Sequence, residues 1–181
     1  VLDGDGTSRV VVSACGNTPI AGVSTGTNNA FPELREPTVT GLAVGLAVTG
    51  QVPNEYAYSF NKRIEVLVND KREIALVDVA VVAERYIGAR AIWKTENFRD
   101  LFVTFGRPDG IGMSSIVGLL APLDRETAEG RRVKLVPLGE AKVILDAPIA
   151  PGLIENVGIG AVETLKPNQH YLPSVSVGSF A

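Results

Sequence analysis

The stretch Val1-Leu2-Asp3-Gly4-Asp5-Gly6-Thr7 leads from two apolar residues into a loop of aspartates and glycines. Glycines let a backbone approach a bound group closely and adopt positive φ. At the start of a helix, free amide groups and the helix dipole favour an anion. Thr7 can cap such a helix. Asp5 can bind Mg²⁺ or accept a proton from an attacking hydroxyl. The stretch therefore fits a phosphate-binding loop.

The same residues also fit a β-hairpin, because Asp-Gly is a strong signal for a two-residue turn. The segment that follows, residues 8–14, is ambiguous. Its three valines at 10–12 favour a strand, whereas Gly16 is a suitable residue to end a helix. Short motifs of this kind recur by chance, so the loop alone does not decide between a hairpin and a binding site.

A second loop, residues 24–29, favours the binding site. It follows an apolar run over residues 19–24 that reads as a buried strand. Its small side chains, hydroxyls and amides suit contacts with a polyphosphate or a ribose. Two loops at the carboxyl ends of parallel strands lie at one sheet edge, where open α/β sheets bind ligands. The alternative is an ordinary surface loop rich in Asn and Gly.

The two loops together resemble those of the superfamily of NAD kinases, diacylglycerol kinases and sphingosine kinases. That superfamily carries Gly-Gly-Asp-Gly-Thr and, further along, a loop of the type Gly-Thr-x-Asn. The same order occurs here at residues 3–7 and at residues 26–29. Residues 19–32 and 84–93 look most like the NAD kinase-like proteins of the acetoin-catabolism type.

This resemblance implies an α+β protein, with a partial α/β nucleotide-binding, NAD kinase-like domain followed by an all-β, sandwich-like domain. It implies ATP and Mg²⁺ as cofactors, bound in the crevice between the domains. Asp5 matches the catalytic and metal-associated aspartate of the family. The residues that match its cofactor-binding loops are Gly4, Gly6, Thr7, Gly26, Thr27, Asn28 and Asn29.

Asp78 interrupts the apolar run of residues 74–83, and an isolated carboxylate there would be costly to bury. It is either a structural acid, paired with an arginine or a backbone amide, or a ribose-binding acid that lines the crevice. In the second case it resembles the acidic residue of the NAD kinase Asn-Glu/Asp segment. Residues 109–118 stand where NAD kinases carry Gly-Ser-Thr-Ala-Tyr, and they keep the small residues without the motif.

Local patterns extend the prediction to the rest of the chain. Residues 37–48 are apolar at helical spacing, begin with Pro37 and are followed by Gly50, which predicts a helix. We place the domain boundary between residues 52 and 53, giving domains 1–52 and 53–181. In the second domain we predict a short helix at 98–105 and strands at 62–69, 72–83, 116–120, 133–136, 141–145 and 158–164. Both ends read as cut, so we expect a fragment in which the first half of the α/β domain is missing.

Composition narrows the class of partner. The formal net charge of −3 argues against a nucleic-acid binder. The single cysteine, Cys15, cannot form an internal disulfide, which fits a reducing cytoplasm. The single histidine, His170, excludes a His-rich metal site, and no long apolar stretch predicts a membrane span. We expect a cytoplasmic homo-oligomer that binds a nucleotide, with ATP as the first candidate and NAD as the second.

The leading hypothesis is an ATP-dependent phosphotransferase that resembles NAD kinase and acts on a nucleotide or a small hydroxylated acceptor. A non-catalytic nucleotide-binding regulatory protein linked to acetoin catabolism is the alternative. It is motivated by Asp3, which stands where the family has glycine and whose charge would repel a phosphate, and by the altered segment 109–118. A lipid kinase of the diacylglycerol type is a third possibility, since it shares the Gly-Thr-x-Asn loop.

Overall fold

The computed structural model describes residues 1–2, 4–25, 35–83 and 95–171. These residues form helices and antiparallel sheet. The helices are α1 (Asp5–Ala14), α2 (Pro37–Val48), α3 (Asn54–Ala57) and α4 (Ser114–Leu120). The strands are β1 (Ile64–Val68), β2 (Lys71–Ala75), β3 (Asp78–Val82), β4 (Phe98–Val103), β5 (Gly130–Leu135), β6 (Val143–Ala150) and β7 (Leu153–Leu165). Short 3₁₀ turns precede β4 and β6. None of the helices described is long and apolar enough to cross a membrane.

Helix α1 resolves the ambiguity of the first loop, because a helix and not a hairpin follows it. Gly4 is the extended residue that precedes the helix, with φ of −92°, and Asp5 is the first helical residue. Thr7 was predicted as the cap and lies inside the first turn instead, so that prediction is wrong. A carboxylate in the first turn interacts favourably with the helix dipole. The strand propensity of the three valines yields to the packing of Val12 against a small apolar cluster.

The segments that precede the two loops run side by side. Leu2 and Val23 form a single parallel bridge, and the Val23 amide donates to the Val1 carbonyl at 2.9 Å. The buried strand predicted over residues 19–24 is thus reduced to this one bridge. The bridge nevertheless places Leu2 and Val23, the residues that precede the two loops, side by side, as expected for loops at one edge of a parallel sheet. Asp3 and residues 26–34 lie outside the described residues.

Helix α2 is confirmed at its predicted bounds, because its end signals are local. Pro37 occupies its first turn, and the Glu36 carboxylate accepts a hydrogen bond from the Val39 amide at 2.7 Å. Hydrogen bonds from the backbone amides of Thr38 and Val39 hold the pKa of Glu36 below its usual value. Gly50, with φ of +69°, follows the helix in a conformation that favours glycine.

A bend divides the single strand that was predicted over residues 72–83. Strand β2 pairs with β1 in a hairpin whose turn contains Asn69 at φ of +53°. Leu76 and Val77 then turn the chain, and β3 joins a different sheet. Both residues are buried against Phe105. A continuous apolar run shows no periodicity, and so the pattern could not reveal the bend.

The main sheet has five strands in the order β3-β4-β5-β7-β6, and each neighbouring pair is antiparallel. Helix α4 packs beside β6 and contributes Ile116 and Val117 to the core, where both are fully buried. The strands bring Leu101, Val133 and Val157 to the same core. The protein is therefore mixed α and β, with its largest described core between one curved antiparallel sheet and a short helix. The domain boundary at residues 52 and 53 stays a prediction.

Two elements have the opposite type from the predicted one. Residues 98–103 form strand β4 and not a helix, and residues 114–120 form helix α4 and not a strand. Strand β4 lies inside the sheet and is buried on both faces, so it lacks the alternation that marks a half-exposed strand. Short apolar runs of this length do not distinguish strand from buried helix.

Arg132 lies inside the main sheet, on strand β5. Its guanidinium lies 2.7 Å from the carboxylate of Asp100, which is completely buried. Asp100 is on β4 and Arg132 on β5, so the ion pair ties two adjacent strands. A buried carboxylate without such a partner would be costly, and the pair therefore depends on both members.

Gly118 marks the closest backbone approach in this core. A Cβ at that position would lie 2.0 Å from the carbonyl oxygen of Arg107. Gly106 is equally constrained, since its Cβ would lie 2.7 Å from the Gly118 amide nitrogen. The two glycines thus let α4 rest directly on the backbone of residues 106–107.

Replacing Gly118 by alanine is expected to destabilise the protein by about 1–3 kcal/mol or more, because the backbone must move to admit the methyl group. Gly139→Ala is the control, since a Cβ there meets no atom within 4 Å. Urea denaturation of both variants measures the difference. Equal midpoints for the two variants would contradict the close packing described for α4.

Candidate functional site

A cavity of about 390 Å³ lies where α1, the β2–β3 bend and the segment before α4 meet. Three separate parts of the chain form its walls. The lining residues are Asp5, Gly6, Arg9, Ala75, Leu76, Val77, Asp78, Ile111, Gly112, Met113, Ser114 and Ile149. Apart from its apolar floor, the cavity presents two carboxylates, one guanidinium and a serine.

Helix α1 supplies Asp5 and Arg9, which stand one turn apart and therefore on the same face of the helix. Ser8, between them, is buried, and Val12 packs on the cluster of Leu76, Val77 and Phe105. This packing orients the helix so that Asp5 and Arg9 border the cavity.

Asp78 is the first residue of β3, and the bend brings it to the cavity. Burial raises the pKa of Asp78 to about 6, and the negative charge of Asp5 acts in the same direction. The backbone amide of Ser114 donates to the Asp78 carboxylate and partly opposes this rise. Asp78 thus has the backbone-amide partner expected of a structural acid, and it also lines the cavity together with Asp5. Its role in binding a ribose stays a prediction.

The segment before α4 forms the opposite wall. The Gly112 amide donates to the Pro148 carbonyl at 2.9 Å, which ties the segment to β6. Gly112 itself has φ of +105°, a backbone conformation that residues other than glycine rarely adopt. The segment then turns into α4, with Ser114 facing Asp78. Of residues 109–118, which were singled out for their small side chains, only 111–114 line the cavity.

Arg9 reaches the rim of the cavity in an ion pair. Its Nη1 lies 2.7 Å from Oε2 of Glu73 on strand β2. The sequence analysis did not single out Arg9. Its position four residues after Asp5 was the available signal, because that spacing places both side chains on one helical face.

The structure brings together only part of the predicted site. Asp5, Gly6 and Asp78 line the cavity. Gly4 precedes α1, and Thr7 is exposed in the first turn outside the lining. The second-loop residues Gly26, Thr27, Asn28 and Asn29 lie outside the described residues, as do residues 84–94.

The acidic pair bears on the predicted metal. Among the described residues, no group of three or more His, Cys, Asp or Glu side chains could hold a metal ion. Mg²⁺ commonly takes only one or two protein carboxylates and completes its shell with water and substrate phosphates. Asp5 and Asp78, which border the same cavity, fit that kind of partial ligand set.

The fold and the cavity define the class of protein: an antiparallel sheet domain with a preceding helix that lines an acidic cavity. Residues 62–181 match the family described as acetoin catabolism protein X C-terminal domain, and the chain belongs to that family.

A curated relative agrees with this assignment. The "Acetoin catabolism protein X" of Cupriavidus necator is 48% identical over 171 residues, which cover 92% of this chain and 48% of the relative. The chain therefore spans about half the length of that relative. No solved structure matches the chain.

Asp78→Asn is expected to stabilise the protein at pH 7.5 by about 1–3 kcal/mol and to change stability little near pH 4. The pKa of Asp78 is raised to about 6 in the folded state. Between about pH 4 and pH 6, the folded protein therefore holds a proton that the unfolded chain has released. Stability therefore falls as the pH rises from about 4 to about 6 and stays lower above that range. An asparagine is never ionised and escapes this loss.

Denaturation midpoints of wild type and variant at both pH values measure this effect. The matched control is Asp70→Asn, which changes an exposed aspartate in the β1–β2 turn. A difference between Asp78→Asn and wild type that is the same at both pH values would contradict the raised pKa.

Proposed function

We propose that the protein is an ATP-dependent phosphotransferase of NAD kinase-like type, which transfers a phosphoryl group to a nucleotide or a small hydroxylated acceptor. The observation that carries the proposal is the meeting of Asp5 and Asp78 in one cavity at the amino-terminal end of α1. The two loop motifs at residues 3–7 and 26–29, which resemble those of NAD kinases, support the kinase part of the proposal.

Phosphoryl transfer needs positioning and charge stabilisation more than covalent chemistry from the protein. The amides of Gly6 and Thr7, in the first turn of α1, can donate to phosphate oxygens. Gly4 gives the backbone an extended approach to that turn. In the proposal, Gly26, Thr27, Asn28 and Asn29 of the second loop complete the nucleotide contacts.

The two carboxylates would divide the remaining work. Asp5 stands where it can hold Mg²⁺ or accept the proton of the attacking hydroxyl. Bound Mg²⁺ would neutralise charge on the transferred phosphoryl group. Asp78 would contact a ribose or acceptor hydroxyl, oriented by the amide of Ser114. Different environments for two neighbouring acids are a common basis for distinct roles in proton transfer.

Family membership supports a place in acetoin catabolism. The matching family and the Cupriavidus necator relative both carry acetoin catabolism in their names. We extend that link to this protein as part of the proposal, with a nucleotide or a small hydroxylated metabolite as the acceptor.

Asp5→Asn is expected to lower phosphoryl transfer by about 100-fold or more, the usual loss when a general base is removed. The purified protein is incubated with labelled ATP, Mg²⁺ and either NAD or a small polyol, and the labelled product is counted. Asp70→Asn, which lies away from the cavity lining, is the control and should keep wild-type turnover. Transfer by Asp5→Asn at the wild-type rate would refute the role of Asp5.

The non-catalytic alternative is favoured by Asp3, whose charge stands where the related kinases have glycine. Calorimetry with ATP and ADP distinguishes the two functions. Binding without turnover, in both wild type and Asp3→Gly, would support a regulatory nucleotide-binding protein. Turnover gained in Asp3→Gly would show that the remaining residues of the site are competent.

A further inference from the structure

We propose that Arg9 selects a phosphorylated ligand for this cavity, through a guanidinium held at the rim by Glu73. The inference rests on the proposed function and deepens it by naming the class of ligand, a phosphate ester that also carries hydroxyl groups. The phosphate would bind beside Arg9 and the hydroxyls would face Asp78.

The distribution of charge along the cavity is the first reason. Among the described lining residues, Arg9 is the only cation, while Asp5 and Asp78 are both acids. An anion that enters without a metal is repelled by the negative charge of Asp5, and among the charged side chains of the described lining only Arg9 attracts it. The lining therefore orients a ligand with one anionic end and one neutral hydroxylated end.

The geometry of the guanidinium is the second reason. Within the described part of the chain, Glu73 engages Nη1 of Arg9, so Nη2 and Nε can still donate. Two parallel donors of this kind match the oxygens of a phosphate better than the point charge of a lysine would. Glu73 therefore orients the guanidinium through Nη1, while Nη2 and Nε of Arg9 can donate to a ligand.

The ion pair can be shared at little cost. The side chains of Arg9 and Glu73 are 44% and 67% exposed. Ion pairs as exposed as this contribute at most about 1 kcal/mol. A phosphate can therefore draw on the same guanidinium without disrupting the attachment of α1, which depends on Ser8 and Val12.

Titration calorimetry with inorganic pyrophosphate, in the absence of Mg²⁺, tests the proposal. We expect Arg9→Met to weaken binding about tenfold or more, as the loss of charged hydrogen bonds predicts. Arg9→Lys should fall between wild type and Arg9→Met. Acetate, which offers a carboxylate, should compete poorly with pyrophosphate.

Two controls separate recognition from structure. Glu73→Gln removes the charge of the ion-pair partner but keeps the guanidinium, so it should weaken pyrophosphate binding less than Arg9→Met does. Arg72→Met removes an equal charge from β2, where Arg72 pairs with Glu65 outside the cavity, and should also bind normally. Thermal melting of each variant verifies folding.

Unchanged binding in Arg9→Met would overturn the proposal, as would an equal loss in Glu73→Gln, equal competition by acetate or no pyrophosphate binding by wild type. The proposed function fails separately. Phosphoryl transfer that survives in Arg9→Met with unchanged KM would be compatible with the proposed kinase function and would refute the role of Arg9. Arg9-dependent pyrophosphate binding without any phosphoryl transfer would support the role of Arg9 and contradict the proposed kinase function.

Discussion

The bend at Leu76 and Val77 is the constraint on which the arrangement of the molecule depends. Thr104, which is buried, donates its hydroxyl to the Leu76 carbonyl at 2.8 Å and its amide to the Val77 carbonyl at 2.8 Å. These bonds satisfy backbone groups that leave one sheet before entering the next, where unpaired carbonyls would be costly. The bend allows one apolar run to serve both the β1–β2 hairpin and the main sheet.

The same bend decides the chemistry of the cavity. It brings Asp78, at the start of β3, to the cavity that α1 also lines. Burial and the nearby charge of Asp5 then raise the pKa of Asp78, while the Ser114 amide limits the rise. Holding two acids together costs folding free energy, and perturbed acids of this kind are concentrated at functional sites. The pair is consistent with the proposed phosphate chemistry.

The cavity also crosses the limit of the recognised family region. Asp5 and Arg9 lie in α1, before the matched residues 62–181, whereas Asp78 and Ser114 lie within them. The region matched as the C-terminal domain thus provides only part of the lining. Both functional proposals need α1 as well, since it carries the charge that would meet the ligand.

The sequence by itself determined the features that depend on neighbouring residues. Helix α2 and the turn at Asn69 follow from Pro37, Gly50 and the polar turn residues, whose conformational preferences act locally. The loop motif also singled out Asp5, which lines the cavity, and Asp78 stood out as an acid in an apolar run. The acetoin-catabolism resemblance was confirmed because it rests on residue identities and not on conformation.

Only the tertiary structure decided that residues 98–103 form a strand and residues 114–120 a helix. It alone also decided the bend at Leu76 and the position of Asp5 and Asp78 in one cavity. Short apolar runs satisfy either a buried strand or a buried helix, and the surrounding core selects between them. Gly118 favours the helix here because α4 can then touch the backbone of Arg107. The distance between two acids far apart in sequence is set by how the chain turns between them, and the burial that turns it is a property of the whole core.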